Sequence, residues 1–268
     1  YSLQLADNAL ILAQRNSEWT AHGPVLEQDI AITNISLDLF GQARNFYQHA
    51  ATLYNSFGAE EKQAVDHLVP QLWKNYNREL QEDDLAFLRN ENQYLNLLIT
   101  ELPKGDWAFT VLRQFLFSAF QFYQYTALPN HTDEQLAAIA EKSVKEIVYH
   151  LRWSSEWVIR LGDGTEESNR RLISALNSLW TYTNEMFAPS SYELIDVSTL
   201  KNDWMKKVEE VFEEATIQIE NEKTVVNATS ALSKPLGEGT GVRSHTEHFT
   251  ALLTDMQYMQ RTYPNSIW

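Results

Sequence analysis

An all-α protein is what the sequence predicts, and three observations carry that expectation. Apolar residues recur at intervals of three and four over nearly the whole chain. Nothing alternates with period two for long enough to build a sheet. Two short-linked pairs of long helices, 3–19 with 26–54 and 106–128 with 132–161, are separated by a connection of about fifty residues. A four-helix bundle with one long crossover is the ferritin-like arrangement. The expected architecture is therefore a single ferritin-like helical domain over 1–268, with further helices at 60–77, 82–100, 166–187, 198–222 and 241–262.

Each element has its own signal. Leu3, Leu5, Leu10, Ile11 and Leu12 supply the apolar side of the first helix, and Gly23-Pro24 breaks the chain after it. The second helix meets no proline, and its residues Ile32, Ile35, Leu39, Ala43, Phe46, Ala50 and Leu53 keep helical spacing. A polar stripe of Glu27, Asn34, Asp38, Asn45 and His49 runs along another side. The region from Ser56 to Gly105 is more polar and stops at "LPKGD". The third long helix is densely aromatic, which reads as core packing or as an aromatic ligand pocket, and Pro129-Asn130 closes it. The fourth opens on Thr132 with Gln135 three residues on, a capping signature, and ends at "LGDGT". The stretch "NATSALSKPLGEGTG" has no periodicity and is expected to be a loop.

Composition narrows the function. The 268 residues are 44% hydrophobic and 12% aromatic, enough for a large core. With 21 basic and 36 acidic residues the net charge is −15, a surface that repels phosphate backbones and argues against nucleic acid as a partner. The chain has no cysteine, so disulfides, thiolate zinc sites and cysteine nucleophiles are excluded. No run is apolar enough for a membrane span, and "YSLQLADNAL" lacks the regions of a signal peptide, so a cytoplasmic protein is expected.

The fold raises the question of metal. A ferritin-like carboxylate centre takes a glutamate from each of two helices and Glu-x-x-His from each of the others. That spacing puts carboxylate and imidazole on one helical face. The residues three places before the seven histidines are Trp19, Phe46, Ala64, Leu128, Ile147, Val242 and His245, none of them acidic. Two near misses fall where the bundle would want ligands. Asp38 precedes Gly41, and Glu146 precedes Tyr149, with His150 about 100° further round the helix. On the other two helices the mid-helix polar residues are the amides Asn8, Gln14, Gln114 and Gln121, which cannot balance two iron charges. Asp38, Gly41, Glu146 and Tyr149 read either as ordinary positions on polar stripes or as relics of a lost site, in which the glycine serves close backbone packing. An intact di-iron centre is not expected, and no catalytic residue is assigned.

Weaker candidates remain beside these. Glu18, His22 and Glu27 surround a turn, as a metal cluster or as a corner fixed by polar contacts. His245 and His248 share a face with Asp255 two turns on, as a single-zinc trio or as packing residues. His150 is a further non-standard ligand candidate. "LGDGT" carries no phosphate-loop spacing, and Asn227-Ala-Thr229 matches the glycosylation pattern.

Several stretches together resemble one known family. They are "EWTAHGPVLEQDIA", "LDLFGQARNF", "DDLAFLRNENQYLNLLITELPKGDW", "QLAAIAEKSVKEIVYHLRWSSEWVIRLGDGTEES", Leu179-Trp180 and "HTEHFTALLTDMQYMQRTYP". They extend over most of the chain and resemble the C subunits of bacterial phenylacetyl-CoA epoxidases, multicomponent oxygenases of phenylacetate breakdown. Two stretches depart from the family pattern: a longer polar insert at 57–79, and 188–197. The resemblance implies a degenerate ferritin-like subunit with no cofactor of its own. Its catalytic A-subunit partner would carry the di-iron centre and the thioester. A small B subunit and a reductase bringing electrons from NADPH would complete the complex, and a homodimer is expected in isolation. The rival expectations are a self-sufficient metal oxygenase using Asp38, Glu146 and His150, and a stand-alone helical binding protein.

Overall fold

The structure is a computed structural model and describes residues 1–129, 131–217, 245–264 and 266. Among these the chain is all-α, with helices joined by 3-10 turns and irregular segments and no strand, as the ferritin-like class requires. The long helices are α1 (Ser2–Ser17), α2 (Leu26–Ser56), α6 (Trp107–Thr126) and α7 (Glu134–Gly162). Between them lie α3 (Ala59–Val65), α4 (Glu82–Phe87) and α5 (Leu98–Glu101). After them come α8 (Glu166–Leu179), α9 (Lys201–Glu214) and α10 (Glu247–Thr262). None is long and apolar enough to cross a membrane.

The elements that differ from expectation differ for local reasons. The helix expected over 60–77 is helical only as α3, followed by 3-10 turns at Asp66–Leu68 and Trp73–Asn75. Pro70 lies between those turns, lacks a donor and pushes Val69 to an extended conformation (φ −100°, ψ 138°). The helix expected over 82–100 breaks into α4, a 3-10 turn at Glu91–Gln93 and the single turn of α5. There the backbone N–H of Leu95 donates to Asp7 (2.8 Å) and that of Leu97 to Asn8 (2.7 Å), so tertiary acceptors replace helical ones. The fourth long helix is capped by Asp133 rather than Thr132, its carboxylate accepting from Leu136 N at 3.0 Å. Asp also suits the positive end of the helix. The segment 166–187 ends in a 3-10 turn over Trp180–Phe187, and 198–222 becomes a turn at Val197–Leu200 followed by α9. Asn130, residues 218–222 and 241–244, Asn227 and the expected loop around it lie outside the described residues.

The chain divides into two compact units. The first holds Tyr1–His22, Glu27–Pro103 and the described C-terminal stretch from His245. Its core includes Ile11, Tyr94, Phe249, Leu252 and Leu253. The second holds Gly23–Leu26 and the chain from Lys104 to Ile217. In it α6 packs along α7, with α8 and α9 against α6. The aromatic residues of α6 are core: Phe115, Phe117, Phe120 and Tyr125 are buried, and Phe187 meets Phe120 edge-on at 5.6 Å. The Trp204 indole donates to Leu116 O at 2.9 Å, tying α9 to α6. Gly162 ends α7 where a Cβ would run into the Ala215 carbonyl, so only glycine allows that approach.

Candidate functional site

On α2, Asp38 is half-buried, at the edge of the face that buries Ile35, Leu39 and Gln42. Gly41 is exposed, and an added Cβ would meet nothing within 4 Å. The close packing expected of this glycine is therefore not made within the chain. Gly41 lies instead on an outward face with Ile30, Asn34 and Leu37, of which Ile30 is 50% and Leu37 61% exposed. The stripe expected to be polar divides: Glu27 and Asn34 face outward, Asn45 is half-buried and His49 is buried.

On α7, Glu146 is half-buried, Tyr149 is exposed and His150 is fully buried. The one-residue step between Tyr149 and His150 thus separates a surface phenol from a core imidazole. Burial, opposed by the Gln121 hydrogen bond and reinforced by the Glu146 charge, pushes the Tyr125 phenol above its ordinary value. Arg152 stands over the Tyr149 ring at 5.9 Å. On α6, Thr110, Gln114, Ser118, Gln121 and Gln124 are buried, with Gln114 donating to Ser118 at 2.7 Å.

These donors do not fit an iron pair. Gly41 offers no ligand atom, and Tyr149 offers an exposed phenol where the pattern needs imidazole. Among the described residues no three side chains of His, Asp or Glu are grouped to hold a metal. His245, His248 and Asp255 have separate surroundings. The His245 side chain is buried, His248 is half-buried and supplies its carbonyl to Arg15, and Asp255 is exposed. Glu18 accepts from Arg15 at 2.9 Å and the exposed His22 lies 2.9 Å from Thr20 O, a corner held by polar contacts.

The densest polar chemistry lies in the first unit, on residues that, His245 apart, composition and spacing did not single out. Asp7 of α1 is fully buried and both its oxygens are filled. Oδ1 accepts from Tyr47 OH (2.5 Å) and from the Arg89 guanidinium. Oδ2 accepts from Arg89 (3.1 Å) and from Leu95 N (2.8 Å). Arg89 is also fully buried, donates to Leu85 O and Gln93 O, and stands 4.2 Å over the Tyr94 ring. Burial alone would lower its pKa; the Asp7 charge overrides this and holds it above the ordinary guanidinium value. Burial, and next the Asp7 charge, raises Tyr47; burial, opposed by the Arg89 charge, raises Tyr94.

A second buried pair anchors the C-terminal stretch. The Glu101 carboxylate of α5 accepts from His245 Nδ1 (2.7 Å), Asn96 Nδ2 (2.9 Å) and Thr246 N (2.5 Å). The His245 ring stacks on Phe249 at 4.1 Å, and its other nitrogen lies 3.2 Å from Tyr94 O. Arg15 donates to Glu101 O and to His248 O, joining α1, α5 and α10. Gln257 and Arg261 of α10 donate to Arg89 O, so the two networks meet in this unit. Their charged atoms are consumed by internal partners, which makes them structural devices. The one legible hint was Asp7, the lone acid of the first helix, set between Leu5 and Leu10.

The chain is all-α, as the ferritin-like class requires, with Gly41 three residues after Asp38 and Tyr149 three residues after Glu146. It belongs to the phenylacetic acid catabolic protein family, whose model matches residues 1–268. The chain is similar to the C subunit of the 1,2-phenylacetyl-CoA epoxidase of Escherichia coli (strain K12). The two are 38% identical over 276 residues, covering 100% of this chain and 98% of that protein.

Proposed function

We propose that this chain is a non-catalytic structural subunit of a phenylacetyl-CoA ring-1,2-epoxidase in aerobic phenylacetate catabolism, docked on and stabilising a di-iron catalytic A subunit. The observation that carries the reading is the pair of positions where a working ferritin-like helix would place imidazole. They hold Gly41, with no donor, and Tyr149, a surface phenol. The outward face of α2, with Ile30, Leu37 and Gly41, supplies an apolar surface of the kind that protein partners cover. The similarity to a protein whose name makes it one subunit of an epoxidase supports the same reading. On it, oxygen activation and the electrons from NADPH belong to the partner subunits, and the complex is cytoplasmic.

The test uses the purified chain and its co-expressed neighbours. Metal analysis of the chain alone should find far less than one iron or manganese per molecule. Epoxidation of phenylacetyl-CoA should need the mixture with the A subunit. Ile30→Asp and Leu37→Asp should reduce co-purification while leaving the isolated chain folded. Near-stoichiometric metal with activity in the chain alone would overturn the reading.

A further inference from the structure

The polar stretch at 57–79, expected from the resemblance to be an insert, supplies no charged partner to either buried network. Its folded form has a definite chemistry. Together with the end of α2 it walls an open cavity of about 540 Å³, within the range of small-ligand sites. Three aromatic rings, Tyr54, Trp73 and Tyr76, and three cations, Lys62, Lys74 and Arg78, line it.

The cations are not equivalent. Lys74 is tied to Asp66 at 2.5 Å, and Arg78 makes two bonds to Asp84 at 2.6 and 2.8 Å. Lys62 is half-buried, and no carboxylate engages it; it stands 5.5 Å over the Tyr54 ring and 3.4 Å from Asn55 O. Glu79 adds an acidic group at the lining. Lys62 is thus the one lining cation that no carboxylate among the described residues engages, an ammonium able to meet a single anionic group, and the nearby Glu79 disfavours a phosphate dianion.

The walls specify the rest of the ligand. Trp73 meets Tyr54 edge-on at 5.7 Å, fixing the indole, and both Trp73 and Tyr76 are half-buried. The Trp73 indole N–H is buried and has no hydrogen-bond partner among the described residues, a donor that a ligand oxygen would satisfy after a small shift. Asn55 is already committed, donating to Leu80 O and accepting from Leu80 N, so it shapes the wall rather than reading a ligand. Flat aromatic walls beside one partly desolvated cation select a planar ring carrying one negative charge.

We propose that the insert forms a binding site for a small aromatic monoanion of the arylcarboxylate class, held by Lys62 and stacked against Trp73 and Tyr76. This does not rest on the epoxidase reading, because it is tested on the chain alone. Calorimetric titration with phenylacetate should give saturable binding with Kd below about 1 mM. Phenylacetamide, its neutral counterpart, should bind at least about tenfold more weakly. Lys62→Gln should remove that discrimination, and Trp73→Ala should abolish binding, with circular dichroism confirming the fold of each. If Trp73→Ala fails to fold, the Lys62→Gln comparison alone decides. Absence of saturable phenylacetate binding, equal affinity for the amide, or indifference to Lys62→Gln would overturn the proposal. Tighter binding of adenosine monophosphate than of phenylacetate would also overturn it, since a dianionic nucleotide is then the better fit.

Discussion

The two units bury their polar groups in opposite ways. The first buries Asp7 with Arg89 and Glu101 with His245 at full occlusion of their side chains. In the second, apart from Arg113 standing over Phe109, the buried polar groups are amides, hydroxyls and the imidazole of His150. The reason lies in how each unit is assembled. The second is built mainly of consecutive helices, which satisfy their own backbones and need only pack side chains. The first gathers segments from both ends of the chain around a stretch near residues 88–97 that is only partly helical, where the N–H groups of Leu95 and Leu97 turn to side-chain acceptors. A buried N–H must find an acceptor, and Asp7 and Asn8 supply it. Charge is used where regular structure gives out.

This contrast can be broken most forcefully at Asp7. Asp7→Ala leaves a buried guanidinium unpaired and should cost about 3–5 kcal/mol in denaturant unfolding. The double variant Asp7→Leu with Arg89→Leu should recover part of that loss, because the desolvation of both ions is removed together. A double variant as unstable as the single would mean that the bonds to Leu95 and Tyr47, rather than the ion pair, carry the stability.

Glu101→Gln should cost about 1–3 kcal/mol, and hydrogen exchange should rise first in α10, whose start is tied to Glu101. Uniform exchange throughout the unit would contradict a local anchor. In the second unit the sensitive feature is steric. Gly162→Ala should destabilise by about 1–3 kcal/mol through the clash with Ala215, with no dependence on salt.

Alkaline pH sharpens the comparison through the tyrosines. Burial raises the phenol pKa values of Tyr47, Tyr94 and Tyr125 above their ordinary 10.0. The unfolded chain therefore loses these protons first. Their contribution is fully present below about pH 10 and is lost as pH rises towards the folded values. Melting temperature should fall above about pH 10, and Tyr47→Phe should reduce the slope. The smallest effect is expected at Gly41, where Gly41→Ala should stabilise the isolated chain by up to about 1 kcal/mol. The same change should weaken co-purification with the proposed catalytic partner if that face is covered by it.

Much of the architecture was legible because it depends on local patterns. The four long helices fall within a few residues of their expected bounds, since apolar spacing and the Gly23-Pro24 break act over short distances. The misreadings are local rules that met a competitor: Pro70 against α3, Asp133 against Thr132 as a cap, and Asp7 and Asn8 against the helix expected over 82–100. At the candidate metal positions, the absence of Glu-x-x-His is a property of sequence alone. The exposure of Gly41, which removes its packing role within the chain, is not.

By itself the sequence determined the helical class, the lack of thiol chemistry and the missing imidazoles beside Asp38 and Glu146, because periodicity and residue identity are written in the chain. Only the tertiary structure decided that Asp7 would meet Arg89, that Glu101 would hold His245, and that the insert would shape an aromatic cavity around Lys62. These pairings join residues tens to more than a hundred positions apart. Which buried charge finds which partner is settled by the packing of whole elements, and no local pattern encodes it.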